Sequence, residues 1–278
     1  MNQSERLDVL VRAFAEDSVE YKNIEIGNSD EEKRRVLRSL MNVRMPKEMD
    51  DRIVRIQDAY LKECAAEKGI VRLQDIPTIR DAYGSKHHPS ADRLSVWQGD
   101  ITRLSVGAIV NAANSQMLGC FVPMHTCIDN CIHSFAGIQL RQECNRQMNQ
   151  KRIQYGRNYE QPTAEPMLTP GYDLPAENVI HIVGPIVQDR LTKELEQQLA
   201  DCYQNTLNLC QSHGIRSVAF CCISTGVFRF PNDIAAEIAV QTVTGWLAKY
   251  PNQMDRIIFN VYKDEDLKLY EKTLDKVY

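Results

Sequence analysis

No apolar run in this sequence approaches the roughly 18 residues that a membrane-spanning helix needs, so no span is expected. The opening residues, MNQSERLDVLVRAF, lack the basic start and apolar core of a secretion signal. An excess of positive charge is missing as well. The 33 Lys and Arg against 37 Asp and Glu leave a net charge of -4 and a pI near 5.9. That balance argues against a nucleic-acid-binding domain with a broad basic surface, while leaving room for a nucleotide in a pocket. There is no internal repeat and no low-complexity tract. The nine cysteines are odd in number and scattered through predicted helices and strands. We read the compartment as reducing, hence cytoplasmic, with thiols kept free or used for metal. What is present is ordinary for a soluble globular protein: 43% hydrophobic and 25% charged residues. A chain of 278 residues allows one large domain or a domain with an appendage.

The chain is organised around residues 109–133, IVNAANSQMLGCFVPMHTCIDNCIH. Ile109 and Val110 read as a buried strand, and Asn111, Asn114 and Gly119 are turn formers. Cys120, His125 and Cys127 follow within eight residues, and then Asp129 before a helical pattern. A strand whose polar loop feeds a helix is where open α/β sheets bind their ligands. Two cysteines and a histidine suggest a metal, and three protein ligands leave a fourth zinc position open, as catalytic sites do.

Residues 1 to about 80 read as helical and charged. Leu7, Leu10, Val11 and Phe14 have amphipathic spacing, and Ser29 with Glu32 forms a capping-box pattern ahead of Val36, Leu37, Leu40 and Met41. Met45-Pro46 ends that helix, and a third is expected over residues 49–68 with Gly69 as its stop. No catalytic constellation lies here, and we read the region as a packing or partner-recognition extension. Residues 84–92 form a turn-rich joint, in which the adjacent His87 and His88 read as solvated rather than as metal ligands.

From Arg93 onward strands and helices alternate. Strands are expected near Leu94, over residues 108–110, 179–183, 217–223 and 256–262. Helices are expected over 129–150, 192–213, 232–250 and 266–278, and residues 162–175 read as loop. The alternation predicts a layered α/β domain with helices on both sheet faces. His181 sits mid-strand and reads as a satisfied core histidine. Three strand-end loops carry chemistry: Gly99-Asp100-Ile101, the loop after Val110, and Ser224 to Phe228. The last offers backbone N–H groups to phosphate oxygens, as anion nests do, although such turns also arise for steric reasons alone.

Taken in order, GDIT from Gly99, AIVNAAN from Ala108, DNCIHSFAG from Asp129, TPGYDLPAENVIHIVGP from Thr169 and ISTGVFRFP from Ile223 resemble the macrodomain family of ADP-ribose-binding and ADP-ribosyl-hydrolysing proteins. The resemblance implies a three-layer α/β/α macrodomain with a mixed central sheet over residues 86–278, preceded by an N-terminal helical extension over residues 1–85. It implies that Asp100 accepts a hydrogen bond from the adenine amino group, with the Ile101 N–H beside it. Ser224, Thr225, Gly226 and Val227 would cradle the pyrophosphate, with Phe228 against the ribose. Asn114 would reach the distal ribose, and Tyr262 would flank the adenine.

Where most hydrolytic macrodomains carry a run of glycines, this chain has GCFVPMHTCI. Here it is similar to the zinc-containing microbial branch, which implies one Zn²⁺ per chain held by Cys120, His125 and Cys127. Their spacing is not a standard structural zinc signature, and no fourth protein ligand lies nearby. A ribose hydroxyl, a phosphate oxygen or water would complete the tetrahedron. Each ligand also has a bland alternative: the cysteines as small core residues, and His125 as a donor to a loop carbonyl. Cys131 and His133 read as structural. Asp129 aligns with the acidic residue of hydrolytic macrodomains and, with Asn114, is the catalytic candidate, although an N-cap role suits it equally.

The expected activity is zinc-dependent release of mono-ADP-ribose from modified protein side chains. A non-catalytic ADP-ribose reader and an O-acetyl-ADP-ribose deacetylase are the alternatives. The expected partners are an ADP-ribosylated protein, ADP-ribose and a sirtuin-type ADP-ribosyltransferase system, without nucleic acid or membrane.

Overall fold

The structure, a computed structural model, describes residues 1–84 and 90–277. His87 and His88 lie outside the described residues. Two compact units result. One comprises Met1–Ile70, Gln116–Tyr159 and Gly171–Pro175, and the other Val71–Ser115, Glu160–Pro170 and Ala176–Tyr278. The division expected near residue 85 follows the order of elements along the chain, whereas packing groups them differently.

The first unit is helical: α1 (Gln3–Glu16), α2 (Asp30–Val43), α3 (Asp51–Lys68), α5 (Ile128–Ala136) and α6 (Ile138–Tyr155). The capping box expected at Ser29 and Glu32 forms, with the serine hydroxyl accepting from the Glu32 N–H at 3.3 Å. Leu7, Leu10, Phe14, Leu37, Leu40 and Tyr60, spaced three or four apart within their helices, make one buried cluster, which Ile138 of α6 joins. The continuous helix expected over residues 129–150 is in fact two. Gly137, at φ +86°, separates α5 from α6 with a backbone turn that a side-chain-bearing residue rarely adopts.

The second unit holds the sheet. Its elements are β1 (Val71–Arg72), α4 (Ile79–Tyr83), β2 (Leu94–Gln98), β3 (Leu104–Ser105), β4 (Ala108–Ala113), β5 (Met167–Pro170), β6 (Asn178–Val183), α7 (Lys193–Ser212), β7 (Ser217–Phe220), α8 (Asn232–Lys249), β8 (Arg256–Val261) and α9 (Asp264–Val277). Six strands run in the order β2-β8-β7-β4-β6-β5, and β1 pairs separately with β3. All neighbours in the large sheet are parallel except β5, which runs antiparallel to β6. The central strands read as near-continuous apolar runs because parallel sheets are buried on both faces. Ile109, Val110, Val179, Ile180, Val218 and Ile258 are all fully buried.

Strand β5 lies in the segment read from sequence as loop. It is an edge strand of four residues ending in Pro170, a residue tolerated only where no ladder N–H is needed. Its short MLTP sequence carries no alternation long enough to announce it. His181 is a satisfied core histidine: its Nδ1 lies 3.1 Å from Asn111 Nδ2 and its Nε2 3.0 Å from Thr169 Oγ1. Complete burial holds the ring down to about 3, so it stays neutral. Among the described residues no helix is long and apolar enough to cross a membrane.

Candidate active site

Parallel strands put their carboxyl ends along one sheet edge, where α/β sheets bind ligands. In the second unit β2, β8, β7 and β4 are consecutive neighbours. Asp100, Tyr262, the 224–228 turn and Asn114 follow their respective carboxyl ends. Asp100 caps the short turn Ile101–Arg103, its Oδ1 accepting from the Thr102 N–H at 3.0 Å and from Thr102 Oγ1 at 2.6 Å. The Gly99 N–H donates to the Val261 carbonyl at 2.9 Å, and Asn260 Nδ2 donates to Gly99 O at 3.0 Å, fixing the approach to Asp100. The Ile101 N–H has no partner among the described residues. Tyr262 is 76% exposed, so its ring is presented to solvent at the end of β8.

The turn after β7 is closed from its downstream side. Phe230 N–H donates to Ser224 O at 3.0 Å, Arg229 N–H to Gly226 O at 3.0 Å, and Thr225 Oγ1 to Cys222 O at 3.0 Å. The N–H groups of Gly226, Val227 and Phe228 have no partner among the described residues. Three successive donors at a strand end are what an anion nest consists of. Ser224 holds a left-handed φ of +66° with its hydroxyl buried against Gly184. A Cβ at Gly184 would overlap that hydroxyl, so any larger residue forces the turn or its side chains to shift. Asn114 leads into a loop pinned by Gln161 N–H to Ser115 O at 2.9 Å and by Ser115 Oγ to Glu160 at 2.7 Å.

The first unit holds the other candidates. The donor atoms of Cys120, His125 and Cys127 all lie within 4.8 Å of one another, with Cys120 Sγ 3.6 Å from His125 Nδ1. Tetrahedral zinc, with bonds of about 2.3 Å to sulfur and about 2.0 Å to nitrogen, separates such donors by about 3.5–3.8 Å. The Cys120–His125 pair meets that spacing and Cys127 lies within 4.8 Å of both, so the three side chains could hold a metal. None of the nine cysteines forms a disulfide. Burial, with Cys120 and Asp129 beside it, pushes the Cys127 thiol up to about 12. A thiol so placed ionises only against a cation. Cys127, not Asp129, caps α5: its Sγ accepts from the Asn130 N–H at 3.4 Å. Asp129 lies in the first turn, 5% exposed, with its Oδ1 3.6 Å from His133 Nε2.

The loop around these donors is tied down by residues that sequence reading passed over. Asn130 Nδ2 donates to Val122 O at 2.9 Å and to Cys120 O at 3.2 Å. Arg38 Nη2 donates to His125 O at 2.9 Å, and the Met124 N–H donates to Asn42 Oδ1 at 3.0 Å. His133 carried a readable signal, since it stands one helical turn beyond Asp129. Arg38 and Asn42 carried none, because nothing local ties them to a loop more than eighty residues away.

A six-stranded mixed sheet with its helices is the macrodomain fold, and the chain belongs to that family. The Macro domain model matches residues 110–239, and the N-terminal helices α1–α3 precede that match. A protein of Treponema medium called "Protein-ADP-ribose hydrolase" is 44% identical over 99% of this chain and 100% of its own length. One of the same name from Staphylococcus aureus is 39% identical over 98% of this chain and 96% of its own. The Trypanosoma brucei macrodomain crystallised with ADP-ribose superposes with a TM-score of 0.64 at 26% identity, covering 85% of this chain and 94% of that one.

Proposed function

We propose that this chain is a protein-ADP-ribose hydrolase that releases mono-ADP-ribose from modified side chains. The observation that carries the reading is the anion nest at Gly226, Val227 and Phe228 in a chain that also keeps a buried acid, Asp129, beside three soft metal donors. Full-length similarity to two proteins named for that activity supports it.

In this reading Asp100 accepts from the adenine amino group, and the Ile101 N–H donates beside it. The turn N–H groups, with Ser224 and Thr225 shaping the turn, hold the pyrophosphate. Phe228 packs against the ribose, Tyr262 flanks the adenine, and Asn114 fixes the distal ribose. Orienting the ribose this way is what lets one modest acid–base group suffice. Asp129 draws a proton from the attacking water. The water oxygen bonds to the ribose C1″, the bond from C1″ to the side chain breaks, and the proton ends on the departing side chain. Cys120, His125 and Cys127 would hold zinc, which when bound supplies a Lewis-acid centre that acidifies and polarises an oxygen ligand. The reading requires a transferase that installs the modification, and a sirtuin-type enzyme in the cytoplasm is our proposal.

The test is release of ADP-ribose from a mono-ADP-ribosylated protein, with zinc counted before and after chelation. Release that vanishes with the metal and returns on adding zinc supports the proposal in full. Tight ADP-ribose binding without release from any linkage type makes the chain a reader. Release from O-acetyl-ADP-ribose alone makes it a deacetylase. A chain that purifies and refolds without zinc removes the metal from the account.

A further inference from the structure

Within the helical unit, α2, α3, the loop ahead of α5 and the end of α5 line an open cavity of about 430 Å³. That volume falls in the range of roughly 300–1,000 Å³ typical of ligand pockets. Its floor is apolar, with Leu37, Met41 and Phe135 among the lining residues. Its lining also carries four cations, Arg34, Arg35, Arg38 and Lys68, against one carboxylate, Glu67. In a chain whose net charge is -4, this is a local reversal of sign.

The cations are unevenly answered. Arg34 lies 3.9 Å from Glu67. Lys68 Nζ stands 3.2 Å over the Phe135 ring, and the Arg38 guanidinium 5.8 Å from its centroid. Arg35 is exposed and forms no ion pair within 4 Å among the described residues. An apolar concavity rimmed by positive charge complements an apolar side chain flanked by acids. A concavity, unlike a convex basic face, suits a protruding segment better than a flat lipid surface.

The cavity is also continuous with the candidate metal loop. Met124 lines it, held at a left-handed φ of +58° by the bond from its N–H to Asn42 Oδ1. The next residue is His125, whose carbonyl is held by the cavity-lining Arg38. The cavity thus reaches the residue adjoining a candidate metal ligand.

We propose that this cavity docks an acidic segment of the ADP-ribosylated substrate protein, anchored by one apolar side chain. The identity of the segment's owner rests on the hydrolase reading; the acidic-apolar chemistry does not.

The test is fluorescence anisotropy on the full chain with a short fluorescein-labelled peptide bearing acidic residues on both sides of a phenylalanine. A matched peptide carries lysines in place of the acids. The acidic peptide is expected to bind, to weaken with added salt, and to lose roughly tenfold in affinity in the Arg35→Glu, Lys68→Glu double variant. Affinity for free ADP-ribose, measured by calorimetry on the same proteins, is expected to stay unchanged and confirms that the variant is folded. Equal binding of the lysine peptide, no binding of either, or an equal loss of ADP-ribose affinity in the variant overturns the proposal. So does binding to phosphatidylglycerol vesicles without binding to the peptide. A wild-type chain that fails to bind ADP-ribose defeats the hydrolase reading and leaves the peptide result to be judged by itself.

Discussion

Arg38, on the second helix of the chain, donates to the backbone carbonyl of His125 at 2.9 Å and to Asn130 Oδ1 at 3.1 Å. One guanidinium thus ties the loop bearing a candidate metal ligand to the first turn of the helix that follows it. The N-terminal helices are part of the scaffold of that loop, and a role confined to recognising partners does not describe them.

Arg38→Ala should therefore weaken metal retention while leaving all three donors in place. Residues that orient ligands are typically worth 10–100-fold in metal affinity. We expect a loss of roughly tenfold in zinc affinity, read by competition with a coloured chelator. Cys120→Ser should abolish stoichiometric zinc altogether. Equal retention in Arg38→Ala and wild type would show that the loop holds its shape unaided.

Much of this scaffold was legible in the sequence, and the reasons differ by residue. The capping box at Ser29 and the stop at Gly69 are local chemistry, decided within a few residues, and they form where expected. The apolar runs of β4, β6 and β8 needed no context, because a strand buried on both faces is apolar along most of its length. Strand β5 had no such signal, since its pairing with β6 is what defines it. The break at Gly137 was readable only as one glycine within a helical pattern, and glycine is often tolerated there. Among the site residues, Cys120, His125 and Cys127 were close enough in sequence to be grouped. The contacts of Arg38, Asn42 and Gly184 are long-range and left no local trace.

Asp129→Asn should separate chemistry from binding. The residue is buried in the first turn of α5 with His133 beside it, so the near-isosteric amide is accommodated without a cavity. Loss of a general base costs roughly 10²–10⁴-fold in rate. We expect kcat for ADP-ribose release to fall by about that factor, with ADP-ribose affinity within a few-fold of wild type. If affinity and kcat collapse together, Asp129 acts in shaping the fold and not in proton transfer.

Gly184→Ala tests the turn after β7 from a distance in sequence. An added Cβ would overlap the Ser224 hydroxyl and approach Ile223 Cγ2 to 2.8 Å. Ser224 cannot retreat easily, being 5% exposed and already at φ +66°. Overpacking of this kind costs about 1–3 kcal/mol, and the strain falls on the backbone that presents the Gly226 to Phe228 N–H groups. The expected outcome is a loss of ADP-ribose affinity of roughly tenfold or more, read by calorimetry. Unchanged affinity would mean that the nest is not where the pyrophosphate is held.

Asp173 supplies the pH dependence. Its side chain is buried, Oδ2 has no hydrogen-bond partner among the described residues, and Lys62 Nζ lies 3.6 Å from Oδ1. Burial, reinforced by the neighbouring Asp58, raises the carboxyl to about 7, and Lys62 offsets only part of the shift. In the unfolded chain the group titrates near its ordinary value of about 3.9. Below that pH both states hold the proton and the group has no effect on stability. Between about 4 and 7 the unfolded chain has released its proton while the folded chain keeps it. Stability therefore falls as pH rises through that window and levels off above it. Asp173→Asn cannot ionise, so it should be more stable than wild type by about 1–3 kcal/mol at pH 8. The gap should close as the pH is lowered toward about 4. Thermal unfolding of both proteins across that range decides the matter, and a melting-temperature difference that stays constant with pH would show that Asp173 is ionised in the folded protein throughout.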